Sequence, residues 1–409
     1  MSIATEPRSG TGPSAFRVAA GAVAVTTVSV LPVFLTGALS VQLSADLGFD
    51  PSGLGLVVAL YFGVSACCSL PVGMLVERIG SRATSRIAVL GSAVLLAALA
   101  LGARSYGSLV TLLLCASWCN VMGQLASNLT LARSVPQRRM GLSFGVKQAA
   151  IPTATLLSGI AVPAIALTVG WRWAYALGAV LALAALALCP REDAGPQARP
   201  AKGDRATSAL AVIGAASGMA AGTATALGVF LVASAVERGV DPGLSGLVLT
   251  MGSVVGLSIR LLHGWLADRR EEASRNAHAR GGARRGSGHV AVVSASLAAG
   301  AIGFGLLAVP GTPALVIGTV LAFGLGWAWP GLLQFAVVRL NPSAPAAATA
   351  VVQVGVYAGS FAGPIVFGWL AAHASFPVAW TVSAGVMLAA AALMLVGRRM
   401  LVAHARRSA

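Results

Sequence analysis

The stretch Gly73-Met-Leu-Val-Glu77-Arg78-Ile-Gly80-Ser-Arg82 joins a long apolar run to a cluster of charged residues. At a shift of 191 residues, Gly264-Trp-Leu-Ala-Asp268-Arg269 repeats its glycine, leucine, acid and arginine. The same shift matches residues that precede the two stretches, pairing Gly48 with Gly239, Asp50 with Asp241, and Pro51 with Pro242. An internal repeat near half the chain length, lying across apolar segments, indicates a duplicated membrane bundle.

The pattern Gly-x-Leu-x-Asp/Glu-Arg-x-Gly-x-Arg resembles the signature loop of the major facilitator superfamily. Glu77 stands where that family mostly has aspartate, and the second copy departs from the pattern after Arg269, where Arg-Glu-Glu lacks the later glycine. The resemblance implies an all-α secondary transporter of twelve transmembrane helices in two pseudo-symmetric six-helix bundles. Only two of the 28 basic residues are lysine, which indicates high-GC, bacterial coding.

Composition supports a membrane protein, because the 409 residues are 57% apolar and only 10% charged. We predict twelve segments of membrane-spanning length, at 17–40, 53–76, 84–103, 107–132, 141–168, 172–189, 209–235, 243–266, 290–309, 313–338, 346–371 and 377–397. They give a tail at 1–16, an N-terminal half at 17–189, a linker at 190–208, a C-terminal half at 209–397 with a mobile insertion at 269–289, and a basic tail at 398–409.

The basic residues predict the orientation. The two chain ends and the loops after even-numbered spans, counted together with Arg17 and Arg86 at the edges of the adjoining spans, hold 23 lysines and arginines, the opposite loops hold three, and two lie deeper inside spans. By the positive-inside rule both termini are therefore cytoplasmic in a multi-pass protein of the cell membrane. The net charge of +16 is then a topology signal, and nucleic acid is excluded as a partner because the charge is scattered over short loops.

The repeated loop predicts a conformational latch, as the resemblance also implies. Glu77 with Arg133, and Asp268 with Arg339, would form one acid–arginine pair per half that breaks when the cytoplasmic side opens. The alternative is that these charges only mark the membrane border. The residues assigned to the latch are Gly73, Glu77, Arg78, Gly80, Arg82, Arg133, Gly264, Asp268, Arg269 and Arg339.

Polar residues inside spans predict the solute site, since each needs a reason to lie in the membrane. Asn120, Gln124 and Asn128 form one stripe on the fourth span, and Trp327 shares a face of the tenth span with Gln334. The resemblance implies that spans one, four, seven and ten line the central cavity. The first and seventh spans offer hydroxyls that serve either the solute or helix packing, at Thr26, Thr27, Ser29, Thr36, Thr223 and Thr225.

Lys147 and Arg260 are the two cations placed deep within predicted spans, each about 10 Å from the cytoplasmic border at the helical rise. One interpretation is that both side chains extend back to the cytoplasmic surface. The other is a cationic site for an anionic group, with further hydrogen bonds from Gln148, Gln353 and Tyr357.

Several absences narrow the function. All twelve acids fall in loops or at helix ends, so no carboxylate inside the membrane is available to relay protons or attract a cationic drug. The sequence has no phosphate-binding GxxxxGK[ST] and no histidine arrangement for a metal or a hydrolase. We therefore expect neither an enzyme nor a cofactor or metal. The five cysteines are interpreted as small packing residues.

We predict a monomeric transporter whose partners are the lipid bilayer, a small polar anionic organic solute and a coupling proton or other ion. It would work by alternating access around a midplane cavity. The alternative is an efflux pump for a hydrophobic drug or metabolite that uses the same cavity. A third possibility is a transporter-like sensor that moves no solute.

Overall fold

The computed structural model describes residues 15–134, 140–190, 207–279, 288–341 and 345–407, and within this part every regular element is helical. The α-helices are α1 (Ala15–Ala38), α2 (Ser40–Leu47), α3 (Pro51–Gly102), α4 (Tyr106–Ser134), α5 (Met140–Gln148), α6 (Ala150–Ala161), α7 (Trp171–Ala185), α8 (Thr207–Glu237), α9 (Pro242–Ala279), α10 (Gly288–Leu306), α11 (Thr312–Leu321), α12 (Trp329–Leu340), α13 (Pro345–His373) and α14 (Phe376–Arg407). Short π-helices lie at Val162–Ala166 and Ala322–Gly326, and a 3₁₀ turn lies at Leu186–Leu188.

Helix α3 contains two membrane crossings. Its 52 residues would extend roughly 78 Å at the helical rise, more than twice the hydrocarbon thickness of a bilayer. Gly80 interrupts it with φ 82° and ψ 166°, a conformation that glycine adopts without a Cβ clash. Eleven helical segments of the described part are long and apolar enough to cross a membrane, and the break at Gly80 makes twelve crossings. The predicted all-α membrane fold is confirmed.

The internal repeat is visible in the local structure of both halves. The Asp50 carboxylate caps α3 by accepting from the Gly53 N–H at 2.8 Å, and Asp241 caps α9 by accepting from the Gly243 N–H at 2.8 Å. A proline opens each of these two helices, where a missing N–H costs nothing. Gly48 and Gly239 precede them with φ of 69° and 84°. The residues paired by the 191-residue shift therefore fold alike.

Helices α1 and α8 form the centre of the bundle. Residues 25–40 and 220–232 are buried on every side, which in a helix requires neighbours all round. A Cβ on Gly37 would lie 2.7 Å from the Cα of Val229, so the two helices touch at backbone distance. We call the end of the bundle with Gly80 and Asp268 the basic end, and the end with Gly48 and Gly239 the opposite end. The bundle is closed at the opposite end.

The two halves also meet along two seams, in which glycines allow backbone contact. In the α3–α13 seam, a Cβ on Gly368 would lie 2.5 Å from the Pro51 carbonyl oxygen. In the α5/α6–α9 seam, a Cβ on Gly246 would lie 2.6 Å from the Gly159 carbonyl oxygen. Both contacts lie toward the opposite end, so the seams close that end as well.

Three predicted boundaries differ from the structure. The insertion predicted at 269–289 is helical to Ala279, since α9 continues through a run that contains good helix formers, and residues 280–287 lie outside the described part. The tail predicted at 398–409 continues α14 to Arg407. The linker predicted at 190–208 ends earlier, because α8 begins at Thr207. Residues 1–14 and 191–206 lie outside the described residues.

Candidate functional site

Asp268 connects the two halves at the basic end. Its carboxylate accepts hydrogen bonds from the backbone N–H groups of Gly141, at 2.8 Å, and Leu142, at 2.9 Å. These groups begin α5, where N–H groups have no intrahelical partner and the helix dipole is positive. Gly264, one turn earlier on α9, permits the approach, because a Cβ there would lie 2.7 Å from the Gly141 carbonyl oxygen. The α5/α6–α9 seam is therefore closed at the basic end.

The predicted pair between Asp268 and Arg339 is wrong. Arg339, near the end of α12, forms its ion pair with Glu271, and both side chains remain partly exposed. Asp268 is already occupied by the start of α5, and Glu271 lies one turn further along α9. The second half thus has an internal ion pair and, separately, a carboxylate that binds across the halves.

The first copy of the loop is not engaged in the same way. Glu77 is exposed, and it makes no hydrogen bond or ion pair within the described part of the chain. A Cβ on Gly73 would meet nothing within 4 Å, unlike its counterpart Gly264. Arg78 and Arg82 are also exposed, whereas Arg269 lies 4.5 Å over the Trp265 ring. The Arg133 side chain, predicted to pair with Glu77, lies outside the described residues.

Lys147 lies inside the bundle, not at its surface. Its side chain is 5% exposed, and Nζ donates to the Gln124 side-chain oxygen at 2.9 Å. Gln124 belongs to the predicted amide stripe on α4, so the two predicted site residues are in contact. A neutral amide is the partner that the structure gives this ammonium group.

Arg260 is also fully enclosed, at 2% exposure. Its Nε and Nη2 donate to the Trp327 carbonyl oxygen at 3.2 and 2.6 Å, and Nη1 donates to the Gln148 carbonyl oxygen. The guanidinium lies 5.6 Å from the centre of the Trp327 ring. Arg260 on α9 therefore links the N-terminal half at Gln148 with the C-terminal half at Trp327.

The amide stripe on α4 runs from the interior to the surface. Asn120 is buried and donates to the Ser65 hydroxyl at 3.2 Å, while its own oxygen is buried and has no hydrogen-bond partner among the described residues. Gln124 is half-buried and Asn128 is exposed. The structure therefore places Asn120 and Gln124 near the interior and Asn128 outside it.

The predicted aromatic face of the tenth span is packed in the centre. Trp327 is 6% exposed and lies 5.9 Å from Phe34 and 5.4 Å from Phe323, measured between ring centres. Gln334, two turns along, is half-buried. A Cβ on Gly331 would lie 3.2 Å from the Phe144 carbonyl oxygen of the other half. Trp327 thus joins α12 to both halves at the centre of the bundle.

Three further predicted residues lie along or beside the seams. The side chain of Gln148 is buried next to Lys147, and Gln353 on α13 is half-buried. The Tyr357 side chain on α13 faces Ser69 on α3, in the other half. Tyr357 is therefore placed in the α3–α13 seam and away from the contact between Lys147 and Gln124.

The hydroxyls predicted on the first and seventh spans are used within the protein. Thr26 donates to Ser127, Thr27 to the Ala150 carbonyl, and Thr225 to Ser360. The remaining three bond to carbonyls one turn back on their own helix, as found for Ser29, Thr36 and Thr223. These bonds support helix packing as their role.

Two features of the site were not predicted from the sequence. The first is that the partners of Arg260 are backbone carbonyls, which a sequence motif cannot identify. The sequence does contain a clue to one of these carbonyls. Pro152 has no N–H, so the carbonyl four residues earlier, at Gln148, lacks its helical donor. The other feature is Glu271 as the partner of Arg339, where the sequence offers Asp268, Glu271 and Glu272 within one turn.

No metal centre is present among the described residues, where no group of three histidine, cysteine or acidic side chains comes together. The five cysteines are free thiols, with Cys68, Cys119 and Cys189 buried.

Comparison with solved structures shows the same fold in known transporters. A bacterial homologue of the human lysosomal transporter Spinster, inward-facing and occupied, matches with a TM-score of 0.66 and 13% identity over 97% of this chain and 98% of that one. The human organic anion transporter MFSD10 (TETRAN) matches with a TM-score of 0.67 and 16% identity over 94% and 100%. The unoccupied inward-facing form of the Spinster homologue matches with a TM-score of 0.67. A comparison with curated protein sequences found no match.

A sequence model of the Major Facilitator Superfamily matches residues 19–283, which is more than half of the chain. The match includes both copies of the repeated loop and both buried cations. The chain belongs to the major facilitator superfamily.

Proposed function

We propose that this protein is a secondary-active transporter that moves a small anionic organic solute across the membrane by alternating access. The observation that carries the proposal is the position of Lys147, which is buried inside the bundle with a neutral amide as its partner. An ammonium group at this depth needs a counter-charge, which a bound organic anion would supply.

The charges around Lys147 support an anion over a cation. Lys147 and Arg260 are the two charged side chains that are buried in the described part, and no buried carboxylate accompanies them. The interior therefore carries two positive charges without an acidic partner. A cationic solute would meet repulsion, whereas an anion would gain an interaction that water cannot screen.

The neighbours of the Lys147 ammonium supply polar contacts for an organic acid. Gln124 already contacts Nζ, and the buried Asn120 oxygen, which has no partner in the part of the chain that the structure describes, is available to a hydroxyl or N–H donor. The fold of this chain is similar to that of MFSD10, which is described as an organic anion transporter. This likeness supports the same broad solute class here.

Access would alternate about the central contacts. The opposite end is closed by α1, α8 and the two seams, and the basic end is closed at the α5/α6–α9 seam by Asp268. With the basic end in the cytoplasm of a cell-membrane protein, as the positive-inside rule favours, Asp268 is a cytoplasmic latch that is released when the solute site opens inward. Since the described residues include no buried acid, a coupling proton or ion would bind elsewhere or with the solute.

The test is counterflow of labelled organic acids into proteoliposomes. Lys147→Gln removes the charge and should lower exchange by about 10- to 100-fold, which corresponds to losing one charge-assisted hydrogen bond. Lys147→Arg keeps the charge and should retain part of the exchange. Arg172→Gln, at a half-exposed cation bonded to Asp46, is the matched control and should leave exchange unchanged. Equal exchange by the parent and Lys147→Gln would remove the anion site.

One observation favours a second candidate, an exporter of hydrophobic compounds. A groove of about 350 Å³ between α8, α13 and α14 is lined almost entirely by apolar residues, among them Gly222, Gly359, Val366 and Phe367. Such a groove suits a hydrophobic molecule that enters from the membrane. In that case cells from which the gene is deleted would be more sensitive to hydrophobic compounds. Lys147→Gln, expressed in those cells, would restore resistance as well as the parent protein does.

A further inference from the structure

Arg260 was predicted to hold an anion, but its donor groups are used by the protein itself. Three of its N–H groups point at two backbone carbonyl oxygens, those of Trp327 and Gln148. Each of the three guanidinium nitrogens therefore donates to a backbone carbonyl, which cannot rotate away to make room for a solute.

Both carbonyls lie where a helix is interrupted. Pro152 has no N–H to donate to Gln148, so the helical hydrogen bonding is interrupted at this carbonyl where α5 meets α6. Trp327 follows the π-helix at 322–326 and has φ −116°, outside the helical range, before α12 begins. A buried carbonyl without a donor is costly, and the planar fork of arginine reaches two such groups at once. Arg260 therefore completes the backbone hydrogen bonding of two broken spans in opposite halves.

Lys147 differs because most of its donor capacity is unused. Its ammonium group has three N–H groups and makes one hydrogen bond, to Gln124, in the described part of the chain. Because its partner is a side-chain amide, which can rotate away, and not a backbone carbonyl, Lys147 is the cation of the two that can form a direct ion pair with a solute. A second carboxylate on the same solute would enter the bundle without a cationic side chain to receive it, at a large desolvation cost.

We propose that the site takes a monocarboxylate, with Lys147 as the single ion-pairing group and Arg260 as a positioning residue that joins the broken spans of the two halves. This rests on the proposed function for the solute class, whereas the role of Arg260 stands on its own contacts. The two parts are tested separately.

The charge of the solute is tested by counterflow with the full-length chain in proteoliposomes. Labelled monocarboxylates, lactate and benzoate, are compared with the dicarboxylates malate and phthalate. We expect exchange of at least one monocarboxylate to exceed that of its dicarboxylate by about tenfold or more. Equal or faster exchange of the dicarboxylates would overturn the monocarboxylate assignment. Exchange of neither class would overturn the assignment together with the proposed function.

The role of Arg260 is tested by thermal unfolding in detergent. Pro152→Ala restores an N–H that can bond Gln148 within the helix, so Arg260 should then matter less. We expect Arg260→Gln to lower Tm clearly in the parent and by no more than half as much in the Pro152→Ala background. If Arg260→Gln does not accumulate, Arg260→Lys replaces it, since the ammonium group of lysine lacks the planar guanidinium that bonds both carbonyls at once. Equal Tm losses in both backgrounds would overturn the positioning role, whatever the transport result.

Discussion

The two copies of the repeated loop share a sequence pattern but differ in their contacts with the other half of the protein. In the second copy, Gly264 lies against the backbone of α5 and Asp268 binds the first N–H groups of that helix. In the first copy, a Cβ on Gly73 would have no neighbour within 4 Å, and Glu77 is exposed. The pattern alone therefore does not determine contact. Within the described residues, the basic end is closed along the α5/α6–α9 seam, whereas Gly73 and Glu77 make no such contact along the α3–α13 seam.

The largest difference in stability should come from replacing Gly264 and Gly73, one at a time, with alanine. Gly264→Ala places a Cβ 2.7 Å from the Gly141 oxygen and 3.0 Å from the Leu142 Cα, and these backbone atoms cannot rotate away. We expect a loss of about 1–3 kcal/mol in the free energy of unfolding. Gly73→Ala has free space and should gain up to about 1 kcal/mol from helix propensity. Unfolding in detergent measures both, and the same sign for the two variants would contradict the comparison.

The next effect concerns the two acids. Asp268→Asn removes the charge that faces the start of α5 and should cost about 1–2 kcal/mol, whereas Glu77→Gln should change stability by less than about 0.5 kcal/mol. Asp268→Asn should also lengthen the distance between spin labels on α5 and α9 at the basic end. An unchanged distance would show that Asp268 does not hold this seam.

The smallest effect is expected for the ion pair between Glu271 and Arg339. Both side chains are about one-third exposed, so a double-mutant cycle with Glu271→Gln and Arg339→Gln should give a coupling of about 0.3–1 kcal/mol. The pair lies within one half and should leave the distance between the halves unchanged. Coupling of Arg339 to Asp268 in place of Glu271 would restore the pairing that the repeat predicts.

Much of the fold was predictable because the signals are local. The Asp-Pro pairs before α3 and α9 and the glycines that precede them are matched by the internal repeat, and the structure gives the two copies the same local conformation. The length of α9 beyond the membrane was missed, since an arginine-rich run resembles a loop when its neighbours are unknown.

The site was less predictable because its contacts are made between distant segments. The sequence locates Lys147 and Arg260 inside spans, but it cannot say that one faces a side-chain amide and the other two carbonyl groups. Asn120 and Asn128 share a helix stripe, yet one is buried and the other exposed, since the neighbouring helices cover only part of that stripe. The contacts between helices, and not the spacing of the residues along the sequence, determine what each of these side chains does.

Whether Lys147 holds an anion is tested most sharply by placing a carboxylate beside it within the protein. Gln124→Glu keeps the size of the residue that contacts Nζ and converts the contact into an internal ion pair. We predict that organic-acid counterflow falls by about tenfold or more while the protein stays folded, because Lys147 is already neutralised. Counterflow at the parent rate in Gln124→Glu would contradict an anion site at Lys147.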